Sequence, residues 1–441
     1  MGFVMAKIAS VLTRFLRKPS ESSGDARRGG RGIARHDVGL KVLYFIEVPK
    51  LAGPHVQMVR VAEALHHCMD LEIIIPNGNN DLFQKLCDDN GLSYTFWPIS
   101  HLTKEFWPLL VYIVRSPLEI ISLTWHVRKT QPDLIHAWGG AWQFKAAIVA
   151  RLSGVPLIWL LNDTQMPGYI RRLFRLAARR CGAFIFASRS TRDYYGKLIP
   201  REAQTAVIQS MVDLKAFDPA GIYPGDEALI DSWKGEFVVG LVANINPVKG
   251  IDTFIRVAAR ARAEGRVCRF VIVGPVYRRQ QSLNDELVAL AERLGADNVS
   301  FVGGRKDVRP LLRRFDTYLC CSLTESSPVS VWEALAMGRP VVSTPVGDVP
   351  YFVKDGETGF IAPVGDDNML WQSVKRLMDD PVLAQQIGVR ARQAAQAFGR
   401  KQIGDQTLSF YRKILGANGH FVQDDPAECE VSSAPQQEGT A

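Results

Sequence analysis

The sequence has few features of a disulfide-linked or metal-binding protein. Its 441 residues include only seven cysteines, an odd number with no Cys-x-x-Cys pair, so a disulfide framework and a zinc site are both disfavoured. Cys181, Cys268, Cys320 and Cys321 lie in or beside apolar runs, and we expect them to be small core residues. This cysteine usage favours a reducing, cytoplasmic environment.

The sequence also lacks an uninterrupted apolar run long enough to span a bilayer. Residues 106–125 are apolar, but Arg115, Pro117 and Glu119 interrupt them, so we expect a docking helix that can touch lipid. Lys7 and Arg14 likewise break the first 18 residues, which excludes a secretory signal. Because apolar residues recur there at helical spacing, we expect a basic amphipathic leader and flexible linker over residues 1–38, either on an anionic membrane surface or frayed.

The positive charge lies largely outside the expected folded body. The net charge is +8, and residues 1–40 hold eight Lys or Arg against three Asp or Glu, whereas the expected acidic tail 417–441 holds five acidic residues. Residues 171–180 place Arg171, Arg172, Arg175 and Arg179 mainly on one face of a helix, which is either solvated or in contact with anionic lipid. No nucleic-acid module or interleaved aromatic pattern is present, so no nucleic-acid partner is expected.

Short apolar strands alternate with amphipathic helices from Lys41 onward. The alternation pauses in a polar, Pro- and Gly-containing segment, 213–235, and then starts again. Continuous apolar strands between helices indicate parallel sheets covered on both faces. The pattern therefore predicts an α/β protein with two Rossmann-like domains facing a cleft, at 39–222 and 223–399.

The stretch 322–344 contains two carboxylates eight positions apart. A strand ends just before Glu325, and a helix that contains Glu333 is predicted to begin near Ser327 and Pro328, with Ser327 as the cap and Pro328 as its first residue. Free amides at a helix N-terminus bind anions, and carboxylates accept hydrogen bonds from hydroxyl groups. This arrangement predicts a site for a phosphate between two hydroxyl-bearing groups, as in a nucleotide-sugar.

These two glutamates form an E-x7-E motif between the segments "GLVANINPVKG" and "GRPVVSTPVGDVPYFVKDGETGF". Together they resemble family 4, group 1 glycosyltransferases of the GT-B fold, over about residues 40–415. The resemblance implies that helix 400–415 crosses back to the N-terminal domain. It also implies retaining transfer from a nucleotide-sugar donor to a saccharide or lipid-linked saccharide in cell-surface glycan synthesis. No metal or other cofactor is then expected, and the enzyme would sit peripherally at the inner face of the cytoplasmic membrane.

The resemblance assigns roles to individual residues. Glu325, Lys249 and His136 are the implied catalytic residues. The implied donor-binding residues are Glu333, Ser326, Ser327, Val329, Asn244, Gly250, Gly303 and Arg305. Gly53, Trp138 and Asp163 are implied to line the acceptor side of the cleft, although a buried structural histidine and a capping aspartate remain alternatives for His136 and Asp163.

Departures from the family pattern keep other functions open. The arginine usual before the lysine is replaced by Asn244 and Asn246, so its charge is either missing or supplied elsewhere, for example by Arg305. Trp138 stands where the family often has a second histidine. A sugar-nucleotide epimerase of related fold and a catalytically inactive nucleotide-sugar-binding relative are the alternatives. A dinucleotide dehydrogenase is disfavoured, because no G-x-G-x-x-G follows the first strand of either half.

Overall fold

The computed structural model of the chain describes residues 39–78, 80–102 and 106–417. The expected leader 1–38 and the acidic tail beyond Ala417 lie outside the described residues. The described residues form two parallel sheets, of seven and six strands, each combined with helices. The predicted boundary at residues 222 and 223 falls between the last strand of the first sheet and the first strand of the second.

The N-terminal sheet has the strand order β3-β2-β1-β4-β5-β6-β7. Its strands are β1 (Lys41–Phe45), β2 (Asp70–Pro76), β3 (Tyr94–Trp97), β4 (Leu134–Ala137), β5 (Leu157–Leu161), β6 (Ala183–Phe186) and β7 (Gln204–Val207). The helices of this half are α1 (Gly53–Leu65), α2 (Asp81–Asp89), α3 (Phe106–Thr130), α4 (Phe144–Ser153), α5 (Gly168–Ala178) and α6 (Arg189–Tyr195).

The C-terminal sheet has the strand order β10-β9-β8-β11-β12-β13. Its strands are β8 (Phe237–Val242), β9 (Cys268–Val273), β10 (Val299–Gly303), β11 (Thr317–Cys320), β12 (Val341–Ser343) and β13 (Gly359–Ile361). The helices are α7 (Glu227–Asp231), α8 (Ile251–Ala263), α9 (Gln281–Arg293), α10 (Arg309–Arg314), α11 (Val329–Ala336), α12 (Val349–Phe352), α13 (Asp367–Asp379), α14 (Pro381–Ala394) and α15 (Arg400–Ala417).

Strand β1 shows why the strands read as continuous apolar runs. Val42 and Tyr44 pack into one core of the N-terminal domain, whereas Leu43 and Phe45 pack into another. Successive side chains of a strand point to opposite faces of the sheet, so both faces of β1 are covered and each of its apolar positions is buried. The predicted doubly covered parallel architecture is confirmed, and the four cysteines expected in the core are buried.

The last helix, α15, returns to the N-terminal domain as the fold resemblance implied. At its start the Arg400 guanidinium lies 2.7 Å from the Glu63 carboxylate of α1. Near its end the Tyr411 hydroxyl lies 3.0 Å from the Tyr44 hydroxyl of β1. The C-terminal segment therefore contributes side chains to the first domain, far from its own sheet.

Some helices and strands of the described residues were not predicted from the sequence, among them helix α12 (Val349–Phe352). Helix α2 and strand β3 lie between β2 and α3, and helix α7 lies within the segment expected to be a loop, 213–235. Strand β3 is an edge strand of four residues, none of them fully buried, so it has no continuous apolar signal. Over the described residues, no helix combines the length and apolar character needed to cross a membrane.

Candidate active site in the cleft between the domains

A cavity of about 290 Å³ lies between the two domains. It is bordered by the segments that follow β1, β4, β5, β6 and β7, by the loop that follows β11, and by the start of α15. Ligand sites of open parallel sheets lie beyond the carboxyl ends of the strands, and here two such edges face each other. The predicted site residues that line this cavity are Gly53, His136, Trp138, Glu325, Ser326, Ser327 and Val329.

Glu325 and Lys249 form an ion pair on the C-terminal side of the cleft. The Lys249 ammonium lies 2.5 Å from the Glu325 carboxylate, and the Ser322 hydroxyl donates to the same oxygen at 3.0 Å. Both charged side chains are partly exposed, so a ligand can reach them. The two implied catalytic residues of this domain are thus adjacent, although they come from different loops.

Gly250 explains how these two loops approach each other. It has a φ of +61° and lies between the 3-10 turn Pro247–Lys249 and α8, which it caps. A Cβ atom at this position would lie 2.0 Å from the Cys321 carbonyl oxygen, which no side chain can tolerate. Only glycine allows the Lys249 loop to pack against the end of β11.

The opening turn of α11 differs in detail from the prediction. Pro328 is the cap, with φ −75° and ψ 89°, and Val329 is the first helical residue, so both cap assignments were wrong by one position. The Ser327 hydroxyl accepts hydrogen bonds from the Trp332 indole at 3.0 Å and the Ser210 amide at 3.3 Å. The first amides of α11, which have no intrahelical acceptor, begin at the cavity wall.

Glu333 lies within α11 and is nearly buried. Its carboxylate lies 3.3 Å from the Arg60 guanidinium of α1, across the domain boundary. Burial raises the pKa of Glu333, and the charge of Arg60 and its hydrogen bond offset part of that effect. The cleft therefore holds a cation, Arg60, next to one of the two motif glutamates.

His136 and Trp138 lie on the opposite wall. The His136 Nδ1 atom is 2.5 Å from the Tyr411 hydroxyl, whereas Nε2 and the Trp138 indole nitrogen are buried without a hydrogen-bond partner among the described residues. Burial lowers the pKa of His136 to about 3, so the imidazole is neutral at physiological pH. Both residues line the cavity, and each has one ring nitrogen without a hydrogen-bond partner among the described residues.

Asp163 does not line the cavity. Its carboxylate accepts a hydrogen bond from the Tyr195 hydroxyl and packs against Gly140 in the turn after β4. Burial raises the pKa of Asp163. Asn162, one residue earlier, occupies the cavity wall instead, so the geometry favours the structural alternative for Asp163.

Gly303 ends β10, the edge strand of the C-terminal sheet, and Arg305 follows it; both lie outside the cavity wall. The Arg305 guanidinium lies 2.9 Å from Asp226 and also donates to the Val302 carbonyl oxygen. It is therefore already engaged, which disfavours the idea that it replaces the missing arginine of the lysine loop. In that loop Asn246 caps the turn by accepting from the Val248 amide at 3.1 Å, and Asn244 follows the end of β8.

Side-chain contacts hold the two domains together at the cleft. The Ser326 and Thr191 hydroxyls are 2.6 Å apart. The buried Asp348 carboxylate accepts from the Arg189 amide at 2.7 Å and from Gln209 at 2.8 Å. Asp348, like Arg60 and Tyr411, was not singled out from the sequence, because its partners are remote in the chain.

Two family models that match this chain, and the two relatives described below, are all of glycosyltransferases. Residues 236–380 match the family model described as "Glycosyl transferases group 1", and residues 53–216 match the model described as "Glycosyltransferase Family 4". A lipopolysaccharide core biosynthesis mannosyltransferase, LpcC, of Rhizobium leguminosarum bv. viciae is 25% identical over 72% of this chain and 86% of its own length. An N,N'-diacetylbacillosaminyl-diphospho-undecaprenol alpha-1,3-N-acetylgalactosaminyltransferase of Campylobacter jejuni is 24% identical over 78% of this chain and 91% of its own length.

Solved structures show the same architecture. The crystal structure of Anabaena Alr3699/HepE in complex with UDP superposes with a TM-score of 0.73 at 20% identity, covering 85% of this chain and all of that one. At this level of identity the similarity concerns the fold alone. It establishes the predicted arrangement, in which two Rossmann-like domains face a cleft as in the GT-B fold.

Proposed function

The chain belongs to the family 4, group 1 glycosyltransferases, and from this premise we propose that it transfers a sugar from a nucleotide-sugar to a saccharide or lipid-linked saccharide with retention of the anomeric configuration. The observation that carries the proposal is the placement of Glu325 and the opening turn of α11 at one cavity between the domains, with Lys249 paired to Glu325. Glu333 follows at the Arg60 side of the same helix.

The donor is proposed to lie along α11. The first amides of α11 and the Lys249 ammonium supply the positive potential that a diphosphate needs. Glu333 accepts hydrogen bonds from the ribose hydroxyls, and Glu325 lies at the transferred sugar. Lys249 and Glu325 form an ion pair, so a bound diphosphate would take the place of Glu325 as the anionic partner of Lys249.

The proposed chemistry uses charge stabilisation of the leaving group. As the bond between the sugar and the diphosphate breaks, negative charge develops on the phosphate, and Lys249 stabilises it. The acceptor hydroxyl then attacks the same face of the sugar while its proton passes to the departing phosphate oxygen. Lys249 and helix amides carry this charge in the proposal, so no metal ion is assigned a role.

The proposed acceptor is a lipid-linked or polysaccharide-type glycan. Two relatives support this assignment through the reactions in their names, one in lipopolysaccharide core synthesis and one on a diphospho-undecaprenol-linked sugar. The N-terminal wall of the cavity, with Gln57, His136, Trp138 and Asn162, offers polar atoms for sugar hydroxyls. Assembly of a cell-surface glycan is the process that fits both features.

Contact with a membrane is proposed to occur through helices α3 and α5. On α3, exposed apolar side chains recur every three or four residues, which places them on one outward face: Val111, Val114, Leu118, Ile121 and Trp125. The opposite face of the same helix buries Glu119, Leu123 and Val127 against the domain. Exposed apolar stripes of this length mark interaction surfaces.

Basic residues lie near this stripe. Helix α4 contacts both α3 and α5 and so connects the apolar stripe to α5. Arg171, Arg172 and Arg175 on α5, and Arg179 directly after it, are exposed beside the exposed Leu173 and Leu176. Apolar side chains flanked by arginines fit the acyl and headgroup layers of an anionic leaflet, so we place the enzyme peripherally at the inner face of the cytoplasmic membrane.

Vesicle sedimentation tests this surface. The full-length chain is expected to sediment with vesicles that contain phosphatidylglycerol more than with phosphatidylcholine alone, and Ile121→Asp should reduce binding at least fivefold, since a charge must then enter the acyl layer. Val382→Asp, at an equally exposed apolar position of α14, is the matched control. Equal binding of both variants would contradict the assignment of this face.

The alternative functions have less support. Glu325 lines the cavity, Lys249 is paired with it, and Glu333 lies on α11 in contact with Arg60 of the other domain, which disfavours an inactive relative. The family membership disfavours the epimerase, which would convert a nucleotide-sugar without an acceptor. An assay that detects product from the nucleotide-sugar alone would favour the epimerase.

Thermal-shift screening against UDP-, GDP-, ADP- and dTDP-sugars tests the proposal. A donor at 100 times its dissociation constant should stabilise the protein by about 2.7 kcal/mol. Lys249→Ala and Glu333→Ala should each abolish most of the ligand-induced shift. The exposed-site variants Lys234→Ala and Glu292→Ala are matched controls that should keep it. A full ligand-induced shift in both site variants would contradict the proposed donor site.

A further inference from the structure

A chain of three polar side chains connects the core of the N-terminal domain to the cavity. The Tyr44 hydroxyl of β1 lies 3.0 Å from the Tyr411 hydroxyl of α15, and Tyr411 lies 2.5 Å from His136 Nδ1 of β4. Tyr44, Tyr411 and His136 have no exposed surface. Each of these hydrogen bonds is therefore shielded from water, and the direction of each one has chemical consequences.

The protons of the two hydroxyls and the position of His136 at the cavity together indicate that direction. Burial raises the pKa of both phenols far above the physiological range, so both hydroxyls keep their protons and each must donate one hydrogen bond. Within the described part of the chain, the structure gives Tyr44 one hydroxyl partner, Tyr411. Tyr44 therefore donates to Tyr411, and Tyr411 donates to His136 Nδ1.

The opposite direction leaves a buried donor without an acceptor. If His136 Nδ1 carried the proton and donated to Tyr411, then Tyr411 would donate to Tyr44, and the Tyr44 hydroxyl would have no acceptor. Buried donors without acceptors are costly. Each direction leaves one such donor among the described residues, either His136 Nε2–H or the Tyr44 hydroxyl. His136 lines the cavity, where a ligand or water can accept, whereas Tyr44 does not, so the second direction is disfavoured. An Nδ1 that accepts a hydrogen bond belongs to the tautomer whose proton is on Nε2, the ring nitrogen that lacks a partner at the cavity wall.

We propose that Tyr411 is a positioning residue that holds His136 as the Nε2–H tautomer, so that the cavity presents a neutral hydrogen-bond donor and not a base. The proposal rests on the proposed function for the identity of the ligand as a sugar. It gives His136 the role of a hydrogen-bond donor in that reaction, which agrees with the proposed passage of the acceptor proton to the departing phosphate oxygen.

Trp138 supports the same conclusion about the ligand. Its indole nitrogen can only donate, it is buried, and it too lacks a partner among the described residues. The ring centroids of His136 and Trp138 are 4.4 Å apart. The two neighbouring N–H groups therefore favour an oxygen with free lone pairs, and hydroxyl oxygens of a bound sugar meet that requirement.

Because Tyr411 fixes His136 as a hydrogen-bond donor, helix α15 also has a function in the site. Tyr411 belongs to the segment that follows the C-terminal domain, yet it acts on a residue of the N-terminal sheet. The wall of the cavity is thus completed only when α15 has crossed back. A chain without this hydroxyl keeps His136 but loses the group that fixes its tautomer.

Nitrogen NMR of the unliganded full-length protein, labelled at its histidines, tests the proposal without any substrate. His136 is assigned by loss of its signals in His136→Asn. The expected pattern is a protonated Nε2 and an unprotonated Nδ1 from pH 6 to 8. A proton on Nδ1, or on both nitrogens in that range, would overturn the proposal whatever the reaction proves to be.

Variants test whether Tyr411 is responsible. Tyr411→Phe should yield a mixture of the two tautomers, whereas Tyr44→Phe, which removes a hydroxyl from the same cluster, should retain the Nε2–H form because Tyr411 must still donate. A uniform Nε2–H form in Tyr411→Phe would contradict the positioning role.

Transfer assays test His136 itself. His136→Gln, whose amide nitrogen can replace Nε2, should keep at least fivefold more kcat/KM than His136→Asn, whose amide lies near the Nδ1 position. Equal values would contradict the role of His136 as a hydrogen-bond donor.

Discussion

Glu333 shows how a binding residue can reduce the stability of the unliganded protein. Burial raises its pKa, so the folded state holds the carboxylate less readily than the unfolded chain does. A raised carboxyl pKa means that stability falls as pH rises above the unfolded value, because the unfolded chain releases its proton first. Arg60 offsets only part of this effect. The carboxylate therefore still lacks hydrogen-bond donors, which ribose hydroxyls would supply.

Replacement of Glu333 by Gln should therefore separate stability from binding. At pH 7 the unliganded variant should be at least as stable as the wild type in urea denaturation, because the amide can still accept from Arg60 and has no charge to desolvate. Its affinity for the nucleoside diphosphate, measured by calorimetry, should fall at least tenfold. A clear loss of stability with unchanged affinity would show that Glu333 is structural.

Glu47, directly after β1, predicts a second pH dependence. Burial raises its pKa to about 7, although its carboxylate accepts from the Lys145 amide at 2.9 Å. Between the unfolded pKa and pH 7 the folded protein holds a proton that the unfolded chain has released, so stability should decline with rising pH by on the order of 3 kcal/mol. Urea denaturation from pH 5 to 8 measures this slope.

The variant Glu47→Gln should flatten this decline, whereas Glu292→Gln, at an exposed position, should leave it unchanged. An identical slope in Glu47→Gln and the wild type would assign the pH dependence to other groups. Lys145 also lies 2.7 Å from Glu119, so it keeps an anionic partner in the variant.

Individual site residues were predictable where a local pattern carries them. The spacing of Glu325 and Glu333, the Lys249–Gly250 pair and His136, near the end of β4, were all identified in the sequence. The cap of α11 was misplaced by one residue, because local preferences for Pro328 and Ser327 do not include the contact between Ser327 and Trp332. Tyr411 has no local signal, since its partner His136 is 275 residues away.

At the scale of elements, α6 of the first domain is held to the start of α12 in the second. The Asp348 carboxylate accepts from the backbone and side chain of Arg189 and from Gln209, and it has no exposed surface. The Arg189 guanidinium also lies 4.3 Å from the ring centre of Tyr351. This contact is positioned to hold the cleft in the observed arrangement.

Replacement of Asp348 by Ala should destabilise the protein by about 2–4 kcal/mol, because it leaves buried donors without an acceptor. Chemical denaturation measures the change. The control Asp193→Ala removes an exposed aspartate that pairs with Arg192 and should change stability by less than about 0.5 kcal/mol. Similar small effects of both variants would mean that the Asp348 contact contributes little to domain association.

Elements with continuous apolar runs were predictable, and short or half-exposed ones were not. Helix α8 and helix α13 occupy the residues expected from their amphipathic spacing, 251–263 and 367–379. Helix α3 extends five residues beyond the predicted end and passes through Pro117 without a break. Strand β3 was missed because its packing, and not its own sequence, determines that it joins the sheet edge.

At the scale of the whole molecule, the site depends on the relative placement of two domains. Lys249 and Glu325 are 76 residues apart, and Arg60 and Glu333 are 273 residues apart. A sequence pattern can name such residues, but their pairing follows from how two sheets face each other. For this reason the missing arginine of the lysine loop could be noticed from the sequence, whereas Arg60 at the cleft could not be foreseen.

The central claim is that a nucleotide-sugar donor lies against the opening turn of α11, between Glu325 and Glu333. The most direct measurement is a crystal structure of the full chain soaked with the nucleoside diphosphate that stabilises it most in the thermal screen. We expect diphosphate oxygens within hydrogen-bond distance of the first α11 amides and Lys249 Nζ, with ribose hydroxyls at the Glu333 carboxylate. A nucleotide bound elsewhere, with this turn covered by protein, would contradict the account.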